Sequence, residues 1–588
     1  HLLEEHVVVA NRTEVPIGKV GSSIEILTSA DFEPLKQSFL LEALRLVPGF
    51  YLRNNGGPGQ VFGMTTRGLN TNRPVVLIDG IEVSNPASGE IMNFGTLFLS
   101  QIERVEILKG SNSTIYGADA LAGVISISTK DGKGEPGSSL NLMAGSHDTV
   151  QVGAATWGKS GDWNYRVAVS SYDSEGYSTQ PVEFGDAWAD DDLYRNVNGS
   201  INIGYDISDT SSFHFLGYYV DSKAEYDPGN PDFIFGEPFA DNYTLTEQLF
   251  GKVGMNCEPR ESWASTLSVG YNNTDTFSMS SFPFASQGDR YEADWLNTVH
   301  ISETYRLVAG LEYEEEEHLS DSGKRDETSL FLENLLNLDS ALALTLGGRF
   351  DDNSAYGEET TYRGTFSYDL KDTDELALRT RGSFGTSFQA PTFFHLFSSF
   401  GNPLVRPESG RGLDLGLEGT VQNGPASFVL TFFDYQIEDK IIYDFARNSF
   451  FNQETYKSSG LETMAKVEIH SFLSLQLSHT YVRAEYEDGT EAERVPRNLY
   501  SAQLNWQIPE KKLGINLSHY WVGSQYSLRR DREKMPAYGT AHLAVTYAYG
   551  DGMDIWLRID NLFDEEYQEV RDYNTPGISL YSGWNFRF

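Results

Sequence analysis

The chain has 588 residues, of which 39% are hydrophobic and 13% aromatic, and it carries 55 glycines, one cysteine and a net charge of −40. That charge repels nucleic acid, and Cys257 alone can make neither an intrachain disulfide nor a thiolate metal cluster. No apolar run approaches the ~18 residues of a transmembrane helix, and the first residues lack the regions of a signal peptide, so any such leader is expected to be already removed.

Residues 1–130 read as mixed α/β. Val7, Val8 and Val9 form a short β-prone run near the chain end, a mobile segment of the kind that adds to a partner's sheet edge. In "SADFEPLKQSFLLEALRLVPGF" (29–50), Leu40, Leu41, Leu44 and Val47 follow amphipathic helix spacing, with a Ser/Asp start and a Pro48-Gly49 stop. "RPVVLIDGIEV" (73–83) is an apolar strand interrupted at Asp79-Gly80, which predicts a hairpin turn. "RVEILKGSNSTIYGADALAGVISISTK" (104–130) combines a strand, a polar turn and small residues. Its glycine spacing lacks the Gly-Lys-Ser/Thr of a phosphate loop. The small residues instead predict close packing against a barrel wall, with Arg104, Glu106 and Lys109 as candidates for polar contacts with the lumen lining.

From about residue 138 the period changes to two. In "WNYRVAVSSY" (163–172), Trp163, Tyr165, Val167 and Val169 share one face, and Asn164, Arg166, Ala168 and Ser170 the other. The same alternation recurs to the C terminus, where Ile578, Leu580, Trp584, Phe586 and Phe588 share one side. Short turns alternate with long polar loops such as 174–192 and 221–247, and Trp157, Trp163, Tyr218 and Tyr219 are read as aromatics at strand ends. Apolar-out alternation, asymmetric connections and aromatic girdles predict an outer-membrane β-barrel. At ~10 residues per strand, its length allows roughly 20–22 antiparallel strands, close to the plugged 22-stranded class.

These residues carry a resemblance. "EEHVVVANR" (4–12), "LLEALRLVPGFYLRNNGGPGQ", "TTRGLNTNRPVVLIDG", the 104–130 stretch, "GTSFQAPTFFHLFSSFGNPLVRPE" (385–408) and "IDNLFDEEYQEV" (559–570) occur in the order seen in TonB-dependent outer-membrane transporters, which the whole chain resembles. The likeness implies a Ton box and linker over 1–13, an α/β plug over 14–134 and a barrel of about 22 strands over 135–588, with the plug filling the lumen. It implies a monomer in the outer-membrane lipid of a Gram-negative bacterium. Its function would be active import of a scarce, bulky nutrient, energised through TonB and its inner-membrane complex. Glu5, His6, Val7, Val8, Val9 and Ala10 would contact TonB. Within the family the likeness is strongest to cobalamin receptors, with ferric siderophore or haem receptors as the alternative.

The resemblance also implies site residues. Two loops rich in Gly, Asn and Ser, 53–63 and 84–95, stand at the plug apex, and Asn54, Asn55, Gln60, Phe62, Asn85, Ala87 and Ser88 would meet the substrate. Acidic loops offer hard oxygen ligands suited to Ca²⁺: Asp190, Asp192, Asp227 and Asp241 match calcium positions of cobalamin receptors, although Ser178 stands where another aspartate is expected. No cofactor is required beyond this possible calcium. His395, in "TFFHLF", lies where haem receptors of the family carry an axial ligand. Arg53, Arg67 and Arg73 could line the pocket for an anionic iron chelate. A passive porin or an adhesion or assembly barrel is the different-class alternative, but needs neither plug nor Ton box. Eleven scattered histidines give no H-E-x-x-H, and no nucleophile set appears, so the chain is not expected to be an enzyme.

Overall fold

The computed structural model describes residues 5–69, 74–180, 190–227, 242–280, 283–319, 323–373, 375–421, 424–529 and 533–588. Among them, twenty-two antiparallel strands close into one barrel, and the first, Gly137–Gly145, pairs with the last, Ser579–Arg587, so that Leu142 faces Trp584. Closure leaves no unpaired backbone edge in the hydrocarbon layer. The predicted alternation is visible directly: in strand Trp163–Ser174, Trp163 and Val169 are 51% and 52% exposed, whereas Asn164 and Ser170 are 4% and 2% exposed.

Two barrel expectations need correction. The strands run from 8 to 22 residues, most of them longer than a ~10-residue span, because neighbours go on pairing beyond the apolar band. Strands Ser211–Glu225 and Tyr243–Arg260 therefore take up part of what reads as the 221–247 loop. Tyr218 is not a girdle residue. It points inward, stacks on Phe250 at 5.0 Å, and joins Leu216 and Val220 in the core of the domain inside the barrel.

That inner domain is built on a five-stranded sheet. Its strands are β3 (Ile24–Thr28), β6 (Val75–Ile78), β7 (Ile81–Glu82), β8 (Ile102–Lys109) and β9 (Gly123–Thr129), in the order β3-β8-β9-β6-β7. Only β6 and β9 are parallel. A two-stranded ribbon of β1 (His6–Val7) and β2 (Val15–Pro16) precedes it, and a second, β4 (Phe50–Asn54) with β5 (Phe62–Thr66), carries the first apex loop. The Asp79-Gly80 hairpin is present, with φ of 48° and 79°, the left-handed pair such a two-residue turn requires.

The helix expected across 29–50 is split. α1 (Ser29–Phe32) gives way to a 3₁₀ turn over Glu33–Leu35, Lys36 turns left-handed at φ 55°, and α2 (Leu40–Leu44) starts afresh. Pro34 explains the break, since it has no N–H to continue the ladder. The apolar spacing still holds, because Leu40, Leu41, Leu44 and Val47 all enter the core beside Val76, Ile78, Val105 and Ile125.

The 104–130 stretch lies against the wall as its small residues suggest. A third short helix, α3 (Ser113–Tyr116), follows β8. Gly110 (φ 93°) and Gly117 (φ 73°) lie so close to barrel side chains that an added Cβ would stand 2.9 Å from the Tyr435 hydroxyl and 2.8 Å from an Arg349 nitrogen.

Candidate functional site

The N-terminal segment is held in place. Val7 and Ala10 are buried with Val15 and Val20, while Val8 is exposed. One Glu106 oxygen accepts the N–H groups of both Val8 and Val9, at 3.0 and 2.9 Å. Arg104 pairs with Glu5 and donates to the His6 carbonyl at 2.8 Å. Tyr116 donates to the Val9 carbonyl at 2.9 Å, and Arg363 of the barrel donates to the Ala10 carbonyl. Arg104 and Glu106 therefore do not reach for the lumen wall as expected; they grip the N-terminal segment. Lys109 does reach the wall, at Glu462, 3.3 Å away. The segment read as mobile is docked: the Val8 and Val9 N–H groups and the His6, Val9 and Ala10 carbonyls have partners on β8, α3 or the barrel, and Val7 pairs with Val15 of β2.

At the opposite end, β4 and the loop that follows it reach a cavity of about 180 Å³ between the inner domain and the barrel. Asn54 and Gln60 line it together with Tyr177, Asp192 and Tyr194. Asn54 Oδ1, Gln60 Oε1 and the Tyr177 hydroxyl are buried there with no hydrogen-bond partner among the described residues. Buried polar atoms are rarely left so, and Tyr520 and Tyr538, which also line the cavity, leave their hydroxyls in the same state. The lining carries Glu42, Asp192, Glu225, Asp560 and Glu569 against Arg45 and Arg558, so acid predominates.

The other apex residues are placed differently. Asn55 donates its N–H to the Val61 carbonyl at 3.0 Å within the loop. Phe62 packs on Phe94 at 5.5 Å, against the core. Asn85 Oδ1 accepts from the N–H groups of Ala87 and Ser88 at 2.9 and 3.2 Å, forming its own turn. Ala87 is buried against Gly288 of the wall, and the Ser88 hydroxyl accepts from Glu90 N–H at 3.2 Å. Asn54 and Gln60 thus share the cavity with Asp192, and the 85–88 turn does not line it.

Of the four calcium candidates, Asp241 lies outside the described residues. Asp192 and Asp227 bracket the segment 178–180: Asp192 accepts Thr179 N–H at 2.9 Å, and Asp227 accepts Ser178 O–H and Gln180 N–H at 2.8 Å each. Burial, then the neighbouring Asp227 charge, pushes Asp192 up to about 8; burial, with Asp190 adding to it, also raises Asp227. Both shifts disfavour the charged form of these carboxyl groups. Among the described residues, however, no cluster of three or more His, Cys, Asp or Glu side chains is placed to hold a metal.

His395 serves locally. It caps the helix Phe393–Phe397, its Nδ1 accepting Thr392 N–H at 3.3 Å, and its ring meets Phe450 edge-on at 4.8 Å. Arg67 does not line the pocket either. It is fully buried and bidentate to Glu462, at 2.8 Å on both oxygens, with Asp414 2.9 Å away. Arg53 is also buried, and Arg73 lies outside the described residues.

Sequence reasoning missed Glu569, which organises the apex from the loop before the last strand. Its carboxylate accepts Asn54 N–H at 2.7 Å and pairs with Arg45 at 2.8 Å, and its carbonyl accepts the Tyr51 hydroxyl at 3.2 Å. The "NLFDEEYQEV" motif was legible, but no local signal distinguishes Glu569 from the acids beside it.

Comparison with known proteins agrees with this architecture. A family model described as "TonB dependent receptor-like, beta-barrel" matches residues 116–562, and one described as "TonB-dependent Receptor Plug Domain" matches residues 16–124. The Vitamin B12 transporter BtuB of Photobacterium profundum is 26% identical over 99% of this chain and 95% of its own length. The BtuB of Vibrio cholerae is 25% identical over 100% and 95%. Among solved structures, the siderophore receptor PirA from Acinetobacter baumannii superposes with a TM-score of 0.82 at 17% identity, covering 96% of this chain and 98% of that one. The ferripyoverdine receptor of the Pseudomonas aeruginosa outer membrane gives 0.81 at 16%, covering 99% and 89%. At these identities the structures speak for the fold.

Proposed function

The chain belongs to the TonB-dependent receptors of the outer membrane, and from that premise we propose that it imports cobalamin or a related corrinoid into a Gram-negative cell, energised by TonB. The observation that carries the substrate reading is the cavity under the apex, where Asn54, Gln60 and Tyr177 leave three buried polar atoms unsatisfied within an acid-rich lining. Such a lining suits contact with the part of a ligand that reaches it, where that part is rich in amide hydrogen-bonding groups and carries no net negative charge. It opposes an anionic iron chelate, whose charge would meet carboxylates without Arg67 to offset them. The full-length likeness to two vitamin B12 transporters points the same way.

Calcium fits this reading. Asp192 and Asp227 would supply two of its oxygen ligands, and the ion would offset the burial, and the carboxylate repulsion added to it, that raise both groups. It would bind and orient the loops beside the cavity, with Thr179 and Gln180 N–H groups already fixing one oxygen of each carboxylate.

The test is calorimetry of the full chain with cyanocobalamin, with and without calcium. We expect saturable binding in both cases, strengthened about tenfold or more by calcium, as when a loop is pre-ordered by a first ligand. No binding under either condition removes the corrinoid reading, and binding of a ferric chelate instead replaces it.

A further inference from the structure

The outer face of the barrel wall is rich in acid toward the end that carries the long loops. Arg195 points outward there and pairs with Asp173 at 2.7 Å, Lys223 pairs with Glu225 at 2.6 Å, and Lys324 pairs with Glu315 at 2.7 Å. Further acids flank them. Asp221 and Glu247 stand opposite each other beside Lys223, and Glu317 stands opposite Lys324. Each of these cations is therefore neutralised by its own surroundings.

One sector departs from this pattern. It comprises the four neighbouring strands Glu408–Val421, Ala426–Asp444, Ser449–His470 and Leu473–Tyr486. Their register aligns Arg411, Gln436, Lys457 and Glu485 in one outward row. The next row toward the middle of the wall is Leu413, Asp434, Ser459 and Arg483, and the one after it is Leu415, Phe432, Leu461 and Tyr481. That last row belongs to the lipid-facing belt, with all four side chains 38% to 47% exposed.

Arg411 and Lys457 are both exposed, and neither has a carboxylate partner among the described residues. Arg411 donates to Gln436 Oε1 at 2.8 Å. Arg483 is exposed and pairs with Glu485 at 2.9 Å. Three acids share the sector. Glu485 is engaged by Arg483, Glu438 accepts from Gln436 at 2.8 Å, and Asp434 stands in the middle row. Cations thus equal acids here, on a chain with 44 basic and 84 acidic residues, and two of the three cations are unclaimed.

Adjacent strands lie ~4.8 Å apart, so the Arg411 and Lys457 backbones are separated by roughly 10 Å. Arg483 is the diagonal neighbour of Lys457, at about 7–8 Å. Side chains this long converge across such distances. Arginine offers phosphate a planar fork and lysine a point charge. Arg483 stands one row above the lipid-facing belt and the other two cations stand two rows above it, ~7 and ~13 Å along tilted strands. All three therefore fall in the polar layer that flanks the hydrocarbon.

We propose that Arg411, Lys457 and Arg483 bind the phosphate of a lipid headgroup in the outer leaflet, with its acyl chains lying along Leu415, Phe432, Leu461 and Tyr481. On the acid-rich remainder of the wall a phosphate needs a bridging divalent cation, whereas here it meets cations of the protein itself. The site lies on the outside of the barrel and does not depend on the import reading.

The test is capture of radiolabelled diphosphoryl lipid A by the immobilised full chain in dodecyl maltoside, with EDTA present to remove divalent cations. We expect saturable capture. Arg411→Gln/Lys457→Gln/Arg483→Gln should weaken it at least tenfold, since each surface cation adds to the attraction. Lys457→Arg and the control Arg195→Gln/Lys223→Gln should bind as the native chain does. Raising NaCl from about 0.05 to about 0.5 M should weaken native binding at least fivefold, because exposed charges are screened. Unheated electrophoretic mobility checks that each barrel is closed. Equal capture by the triple variant, equal loss in the control, or indifference to salt overturns the proposal. Equal capture of zwitterionic phosphatidylcholine also overturns it, since the apolar belt alone would then suffice. Inorganic phosphate at about 10 mM, which screens little, should leave the lipid bound; displacement would make this a site for the free anion and overturn the lipid assignment.

Discussion

Replacing Arg67 with methionine should loosen the plug within an intact barrel. The guanidinium is fully buried, makes two 2.8 Å bonds to Glu462 and one of 2.9 Å to Asp414, and lies 5.1 Å from the Phe433 ring. Its removal leaves two carboxylates facing each other in a buried site, with Lys109 as the nearby cation on Glu462. Deleting one partner of a buried pair costs about 3–5 kcal/mol. At ~1.4 kcal/mol per factor of ten, amide exchange in β8 and β9 should quicken by roughly two to three orders of magnitude wherever plug undocking controls it. Exchange in the barrel strands should not change. Arg67→Lys keeps the charge but loses the planar fork, and should fall between the two. Unchanged exchange in Arg67→Met would show that the plug is held by its apolar contacts instead.

Glu569→Ala should disable the apex without unfolding anything else. The carboxylate is buried, and burial raises its pKa against the opposing pull of Arg45. Its loss leaves Asn54 N–H without its 2.7 Å acceptor and Arg45 with Glu42, 3.0 Å away, as the remaining ion pair. An orphaned buried donor costs about 1–3 kcal/mol, and the loop that presents Asn54 and Gln60 bears that cost. Cyanocobalamin affinity should drop at least tenfold by calorimetry, while Glu569→Gln, which keeps an acceptor for Asn54, recovers some of it. Equal affinity in all three proteins would remove Glu569 from the site.

Much of the barrel was legible because its rule is local. Whether Trp163 faces lipid and Asn164 the lumen follows from a period of two, and the Asp79-Gly80 turn follows from two residues. What was missed depends on distant neighbours. Pro34 broke a helix whose apolar spacing was otherwise correct, since spacing records burial and not backbone continuity. Tyr218 looked like a girdle aromatic until the plug core supplied its partners. Arg104 and Glu106 are polar residues on a strand of the inner sheet, yet their partners are the Glu5 carboxylate and backbone groups of residues 6–9, about a hundred positions earlier. Glu569 takes its meaning from contacts across the plug–barrel boundary, which no local pattern encodes.

Energised import is the central claim, and deleting residues 5–10 from the chain tests it most directly. The measurement is uptake of labelled cyanocobalamin by cells making the intact or the deleted protein at equal surface levels. The prediction is binding by both and accumulation only with the intact chain. Equal accumulation with the deleted chain would contradict it and make the barrel a passive pore.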